Sequence, residues 1–187
     1  MKFLLVGLGN PGPEYEETRH NIGYKVLDKL ASMSGTSFST ARLSEMAEIK
    51  HKGRTLILVK PTTYMNLSGK AVQYWLQKEK LQAGQTLIIA DDIALPTGAV
   101  RLRPRGSDGG HNGLKNIAEI LGTDVYPRLR FGVGNDFPKG RQVDYVLGQW
   151  SEEEREIIIA RIEIAAQAAL GFCTLGLDRA MNEFNKR

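Results

Sequence analysis

Residues 2–9 form an apolar run that stops at Gly9-Asn10-Pro11-Gly12. This predicts a strand buried on both faces that ends in a loop. Tyr24, Leu27, Leu30 and Ala31 then repeat at helical spacing, which predicts a helix. Residues 46–51 and 55–59 flank a Lys52-Gly53-Arg54 turn and read as a hairpin. A turn-rich loop over 61–68 leads into a helix carrying Val72, Trp75 and Leu76. Residues 86–90 read as a second buried strand, ending at Asp91-Asp92, and 100–103 as a more exposed one. Four glycines make 106–113 a loop before a short helix over 114–121, and 129–133 read as a further strand before a polar loop over 135–140. Ser151 and Glu154 have capping-box spacing, and Ile157, Ile158, Ile162, Ala165 and Ala169 trace the stripe of a long helix. A last helix starts near Leu177. Strands alternate with helices and one hairpin interrupts them. The expected architecture is one α/β domain over residues 1–187, a mixed twisted sheet with helices on both faces, in three layers.

Composition narrows the class. A chain of 187 residues buries a sizeable core without disulfide or metal staples. Its lone cysteine, Cys173, cannot form an intrachain disulfide, so a reducing compartment is expected. No apolar run approaches the ~20 residues of a membrane helix. The N-terminus runs straight into a strand-like segment and does not read as a signal peptide. The net charge of +4 permits a polyanionic partner without requiring one.

Ligand crevices in open α/β sheets lie at the carboxyl ends of strands. Asn10 and Asp91 fall at such ends, and Asn66 and Asn112 sit in loops nearby in the pattern. His20, just ahead of the first helix, is the candidate general base. A carboxylate from Asp91 can hold its Nδ1–H and leave Nε2 free, and Asp92 could serve equally. Amides of Asn10, Asn66 and Asn112 can steady an oxyanion or a peptide carbonyl. No serine lies in a nucleophile elbow, Cys173 reads as packing, and His51 and His111 have no metal-ligand partner at a fixed offset. A histidine-activated water attacking an activated ester remains. Arg101, Arg103 and Arg105 alternate at period two, which puts them on one strand face, and Lys115 and Arg130 add to the charge. With the glycine loop entering a helix N-terminus, they favour a phosphate-bearing ligand. The spacing of Gly7, Gly9 and Gly12 imitates a dinucleotide fingerprint, but Pro11 removes an N–H donor and Asp28 falls inside a helix instead of at a strand end.

Five segments occur together: Gly7 to Tyr15 (GLGNPGPEY), Thr18 to Gly23 (TRHNIG), Lys60 to Gly69 (KPTTYMNLSG), Gly109 to Lys115 (GGHNGLK) and Arg128 to Gly134 (RLRFGVG). With them the chain resembles the bacterial-type peptidyl-tRNA hydrolases over its whole length. The resemblance implies a cytoplasmic, monomeric enzyme without metal or cofactor and without an obligatory protein partner. Such an enzyme cleaves the ester between a peptide and the 3′ ribose of tRNA. On this resemblance His20 is the base, Asp91 its orienting carboxylate and Asn10 a catalytic amide. Tyr15, Met65, Asn66 and Asn112 are implied to line the substrate cleft. Arg101, Arg103, Lys115 and Arg130 are placed against the phosphates of the tRNA acceptor stem. The stretch Ala90-Asp91-Asp92-Ile93-Ala94 departs from the His-Asp-Glu-Leu-Asp common in such proteins but keeps the central aspartate. A non-catalytic RNA-binding module, as among organellar relatives that serve in splicing, is the alternative. A nucleotide-dependent oxidoreductase built on the Gly7 to Gly12 turn is a weaker one.

Overall fold

The computed structural model describes residues 1–187. Three apolar strands, β1 (Lys2–Gly7), β4 (Arg54–Pro61) and β5 (Thr86–Asp92), lie side by side in the middle of a seven-stranded sheet. Their apolar residues run on instead of alternating because both faces are covered. The full order is β2-β3-β4-β1-β5-β7-β6, with β2 at Ser39–Ala41, β3 at Ser44–His51, β6 at Val100–Arg103 and β7 at Arg128–Gly132. The β1–β4, β1–β5 and β5–β7 pairs are parallel, and the outer pairs β2–β3, β3–β4 and β6–β7 are antiparallel. The expected mixed sheet is therefore observed. Its hairpin turns through Lys52 and Gly53, whose φ angles of 48° and 80° are the left-handed pair that a two-residue turn between twisted strands uses.

Helices α1 (Ile22–Met33), α5 (Glu152–Leu175) and α6 (Leu177–Phe184) cover one face and help form an apolar cluster of 28 buried residues. On the opposite face, α2 (Ser68–Glu79) and α3 (Asn112–Leu121) cover β4, β1 and β5 with a cluster of 14. No residue of β6 or β7 joins this second cluster. There Arg101 stands opposite Arg130 and Arg103 opposite Arg128, while the intervening Val100, Leu102, Leu129 and Phe131 turn into the first cluster. The sheet thus leaves one corner without a helix, and that corner carries arginines.

The predicted capping box opens α5: Ser151 Oγ accepts the Glu154 N–H at 3.2 Å and Glu154 Oε1 accepts the Ser151 N–H at 2.9 Å. This helix corrects one expectation. Interrupted only by Arg161 and Glu163 through its apolar part, it is long and apolar enough to cross a membrane by length and composition. Its Ala165, Ala166, Ala168, Ala169, Phe172 and Cys173 are instead buried in the first cluster, as in a core helix.

Two glycines set the height of α1 over the strand ends. A Cβ on Gly7 would overlap the Gly23 carbonyl, and one on Gly23 would come within 2.6 Å of the Leu8 nitrogen and the Ile89 oxygen. Gly7, which imitates a nucleotide fingerprint in sequence, thus permits a close helix–strand approach. That approach lowers the turn preceding α1 onto the end of β5.

Candidate active site

This turn, a single 3-10 stretch at Arg19–Asn21, carries His20. Its Nδ1 lies 2.9 and 2.8 Å from the two carboxylate oxygens of Asp91, near the end of β5. Asp92, the alternative from sequence, makes no bond to His20 and instead accepts from Arg130 Nε at 2.5 Å and from the Ala94 N–H at 2.7 Å. A second imidazole, for which sequence spacing offers no partner, completes the group. His111 Nε2 is 2.8 Å from Asp91 Oδ1. Its Nδ1 accepts the backbone N–H groups of Gly113 and Leu114 at 3.1 and 3.3 Å, so His111 is also the N-cap of α3. An acceptor nitrogen cannot carry a proton, so His111 holds its proton on Nε2 and donates it to Asp91. The carboxylate only accepts, so His20 donates through Nδ1 and keeps a bare Nε2.

Electrostatics agree with this arrangement. Burial alone would raise Asp91, but the charge and N–H donation of His20 and His111 hold it well below the usual carboxylate range. Burial pulls His20 down, while the charge of Asp91 and its hydrogen bond more than offset that, leaving His20 above an ordinary histidine. The three side chains bring potential ligand atoms within 4.8 Å of one another, a donor set of the kind that holds a divalent metal. The capping role of His111 nevertheless puts a proton on the nitrogen a metal would need, so the hydrogen-bond pattern fits protons at these positions better than a metal.

Asn10 is tied to the His20 turn through Asn21. Its backbone N–H donates to Asn21 Oδ1 and its carbonyl accepts from Asn21 Nδ2, both at 2.9 Å. Its own Oδ1 accepts the Met65 N–H at 2.7 Å. With the amide oxygen occupied, Nδ2 is the donor left to the cavity. Asn21 is fully buried and was not singled out from sequence. Its signal was there: an amide directly after the candidate base, in a turn that must be held in place.

A cavity of about 290 Å³ joins these groups, and Asn10, His20, Met65, Asn66, Asp91 and Asn112 all line it. Val143, Val146 and Leu147 supply an apolar wall from α4 (Gln142–Val146) and the residue after it. Tyr15 is not part of this lining. It ends a 3-10 turn at Pro13–Tyr15, where its carbonyl accepts the Thr18 hydroxyl at 2.8 Å.

The basic residues divide into four groups. Arg101 and Arg103 fold back on the carbonyls of Val100 and Leu102 and have no acidic partner. Arg130 is paired with the cavity residue Asp92, so its charge is partly matched. Arg128 is buried and donates to the carbonyls of Tyr126, Gly106 and Asp124, which anchors the glycine loop. Lys115 is exposed on α3. The expected anion site at the start of α3 needs correction, because His111 already occupies two of the N–H groups there.

A histidine held by a buried carboxylate, with an amide donor in the same cavity at the strand ends of an α/β sheet, is an arrangement of the kind that hydrolases use to deprotonate a water. Comparison with known proteins narrows the class. Residues 4–187 match the family described as "Peptidyl-tRNA hydrolase". The chain is 57% identical over 187 residues to a protein of that name from Cytophaga hutchinsonii and 56% identical over 187 residues to one from Bacteroides fragilis, with both partners fully covered. The crystal structure of peptidyl-tRNA hydrolase from Acinetobacter baumannii superposes with a TM-score of 0.92 at 32% identity, covering 98% of this chain and 94% of that one. The chain belongs to the peptidyl-tRNA hydrolase family.

Proposed function

We propose that the chain hydrolyses the ester between a peptide, or another N-blocked aminoacyl group, and the 3′ ribose of tRNA, and that His20 activates the water. The observation that carries this reading is the His20 Nδ1–Asp91 contact, which turns Nε2 free of Asp91, in a cavity lined also by Asn10 and reaching, through Asp92, the arginine corner. His20 takes a proton from water as the oxygen attacks the ester carbonyl, and Asp91 stabilises the imidazolium that forms. Asn10 Nδ2, or a neighbouring backbone N–H, donates to the tetrahedral oxyanion. Collapse of that intermediate breaks the bond to the ribose oxygen, which leaves with a proton returned from His20. Asn66 and Asn112 hold the peptide backbone and the terminal ribose side. Met65 and the α4 wall receive apolar side chains. Backbone and phosphate contacts carry no sequence information, so this division suits any peptide on many tRNAs. The reading includes work as a monomer in the cytoplasm, without cofactor or obligatory protein partner. Neither rival reading gains an observation of its own: the groups proposed for catalysis lie together in one cavity, and Gly7 serves helix packing.

The direct test is release of N-acetyl-amino acid from N-acetyl-aminoacyl-tRNA by the purified protein with EDTA present. Multiple turnover is expected. Binding of tRNA without release would shift the reading to the RNA-binding module, and loss of release in EDTA alone would reopen a metal at His20, Asp91 and His111.

The arginine corner gives a second expectation. Arg103→Glu should weaken tRNA binding and lower the slope of log affinity against log salt by about one or more, with little change in the saturated rate. Filter binding at several salt concentrations reads this, and an unchanged slope would remove Arg103 from the phosphate site.

A further inference from the structure

The residue before the base is neither solvated nor part of the cavity lining. Only 11% of the Arg19 side chain is exposed. Its Nη1 donates to the Tyr145 carbonyl at 3.0 Å, at the end of α4, and its Nη2 to Glu154 Oε1 at 2.8 Å. The guanidinium lies 4.1 Å from the centroid of the Tyr145 ring and 5.5 Å from that of Trp150. The same Glu154 oxygen accepts the Ser151 N–H that caps α5. Along the backbone, the Arg19 N–H donates to the Gly148 carbonyl at 3.0 Å, and Thr18 forms an isolated antiparallel bridge with Gln149. Gly148 keeps the space clear, since a Cβ there would stand 3.0 Å from Arg19 Nη1.

These contacts converge on an element that cannot hold itself. The five residues of α4 are far fewer than the ~12–15 that a marginally stable isolated helix needs. Tyr145 does reach the carbonyl of Val133 through its hydroxyl at 2.6 Å. Its ring also packs on Phe137 and on the edge of the first cluster, while α4 and the residues after it meet the His20 turn, where Arg19 is the charged side chain. The planar guanidinium suits the place because it can donate in two directions while stacking on an aromatic ring.

We infer that Arg19 is a positioning residue for the reaction, setting the α4 wall of the cavity against the turn that carries His20. This rests on the proposed esterase reading. The base is pinned on its C-terminal side by the Asn21–Asn10 exchange and on its N-terminal side by Arg19. The wall held by Arg19 receives substrate and does no proton transfer. Loosening it weakens productive binding and leaves the titration of His20 alone.

The test compares Arg19→Gln, Glu154→Gln and the double variant on N-acetyl-aminoacyl-tRNA, with hydrogen exchange of residues 142–148 measured in parallel. Each single variant should raise KM roughly tenfold with kcat changed by no more than about threefold. The acid limb of the pH–rate profile should stay in place. The double variant should be no worse than the poorer single, because both cut one linkage. Amides of 142–148 should exchange faster in all three. A moved acid limb or a loss confined to kcat would overturn the inference, because Arg19 would then act on the base itself. A lowered melting temperature with KM and exchange unchanged would reduce it to a structural ion pair. Should Arg19→Gln fail to fold, Glu154→Gln and Arg19→Lys carry the same comparison. If the wild type releases no amino acid, the esterase reading fails, and the exchange data still decide whether Arg19 holds the wall.

Discussion

His20→Ala is expected to lower turnover on N-acetyl-aminoacyl-tRNA by about two to four orders of magnitude, the range lost with a positioned general base. Affinity for tRNA should change by no more than about twofold, since phosphate contacts lie elsewhere. The fold should survive. Asp91 keeps the N–H of His111, and the turn keeps its backbone ties through Arg19 and Asn21. Circular dichroism beside the kinetics separates lost chemistry from lost structure. The pH dependence gives an independent check. Only unprotonated His20 can accept a proton, so kcat/KM must rise with pH through the apparent pKa of this group. Burial lowers that value, but the Asp91 charge and hydrogen bond raise it further, so the limb should lie above the 6.5 of a free imidazole. A folded His20→Ala protein with near wild-type turnover would remove the base assignment.

The parts of the site that the chain shows directly are those placed by a single strand end. Asn10 follows β1 and Asp91 lies near the end of β5, and each apolar run stops where the chemistry begins. His20 was legible because little chain separates it from β1. His111 was not. It reaches Asp91 only because β6 doubles back antiparallel to β7 and the glycine loop then returns α3 to the end of β5. No local spacing encodes that return, and the loop composition pointed to phosphate instead of to a capping imidazole. The partnering of Arg130 with Asp92 depends in the same way on the β5–β7 register, in which Asp92 stands beside Gly132 and Ala90 beside Arg130. Strand β2 escaped notice because it is only three residues long and largely exposed, with no apolar alternation to announce it. Cover over the sheet was legible as helices on both faces. The uncovered corner was not, because the extent of cover depends on which strands α2 and α3 reach.

Asp91→Asn should cost nearly as much as loss of the base, and His111 explains why. An amide has one oxygen and one NH2 group where the carboxylate had two acceptors. His111 needs its bare Nδ1 to cap α3, so its proton stays on Nε2 and claims the introduced amide's oxygen. The NH2 group then faces His20 Nδ1, which must accept. The proton of His20 moves to Nε2, the atom that has to take a proton from water. Geometry is preserved and the tautomer is wrong, a change that lowers kcat by about 10⁴ in a serine-protease triad; about 10² to 10⁴ is expected here. The acid limb of the residual rate should move to lower pH, because the charge that raised His20 is gone and burial alone remains. Adding His111→Ala to this variant releases the amide oxygen to rotate toward His20 Nδ1–H. Part of the lost rate should then return, although a helix cap has been removed. Steady-state kinetics of the two single variants and the double variant across pH decide the matter. A double variant no faster than Asp91→Asn alone would show that His111 does not dictate the tautomer of its neighbour.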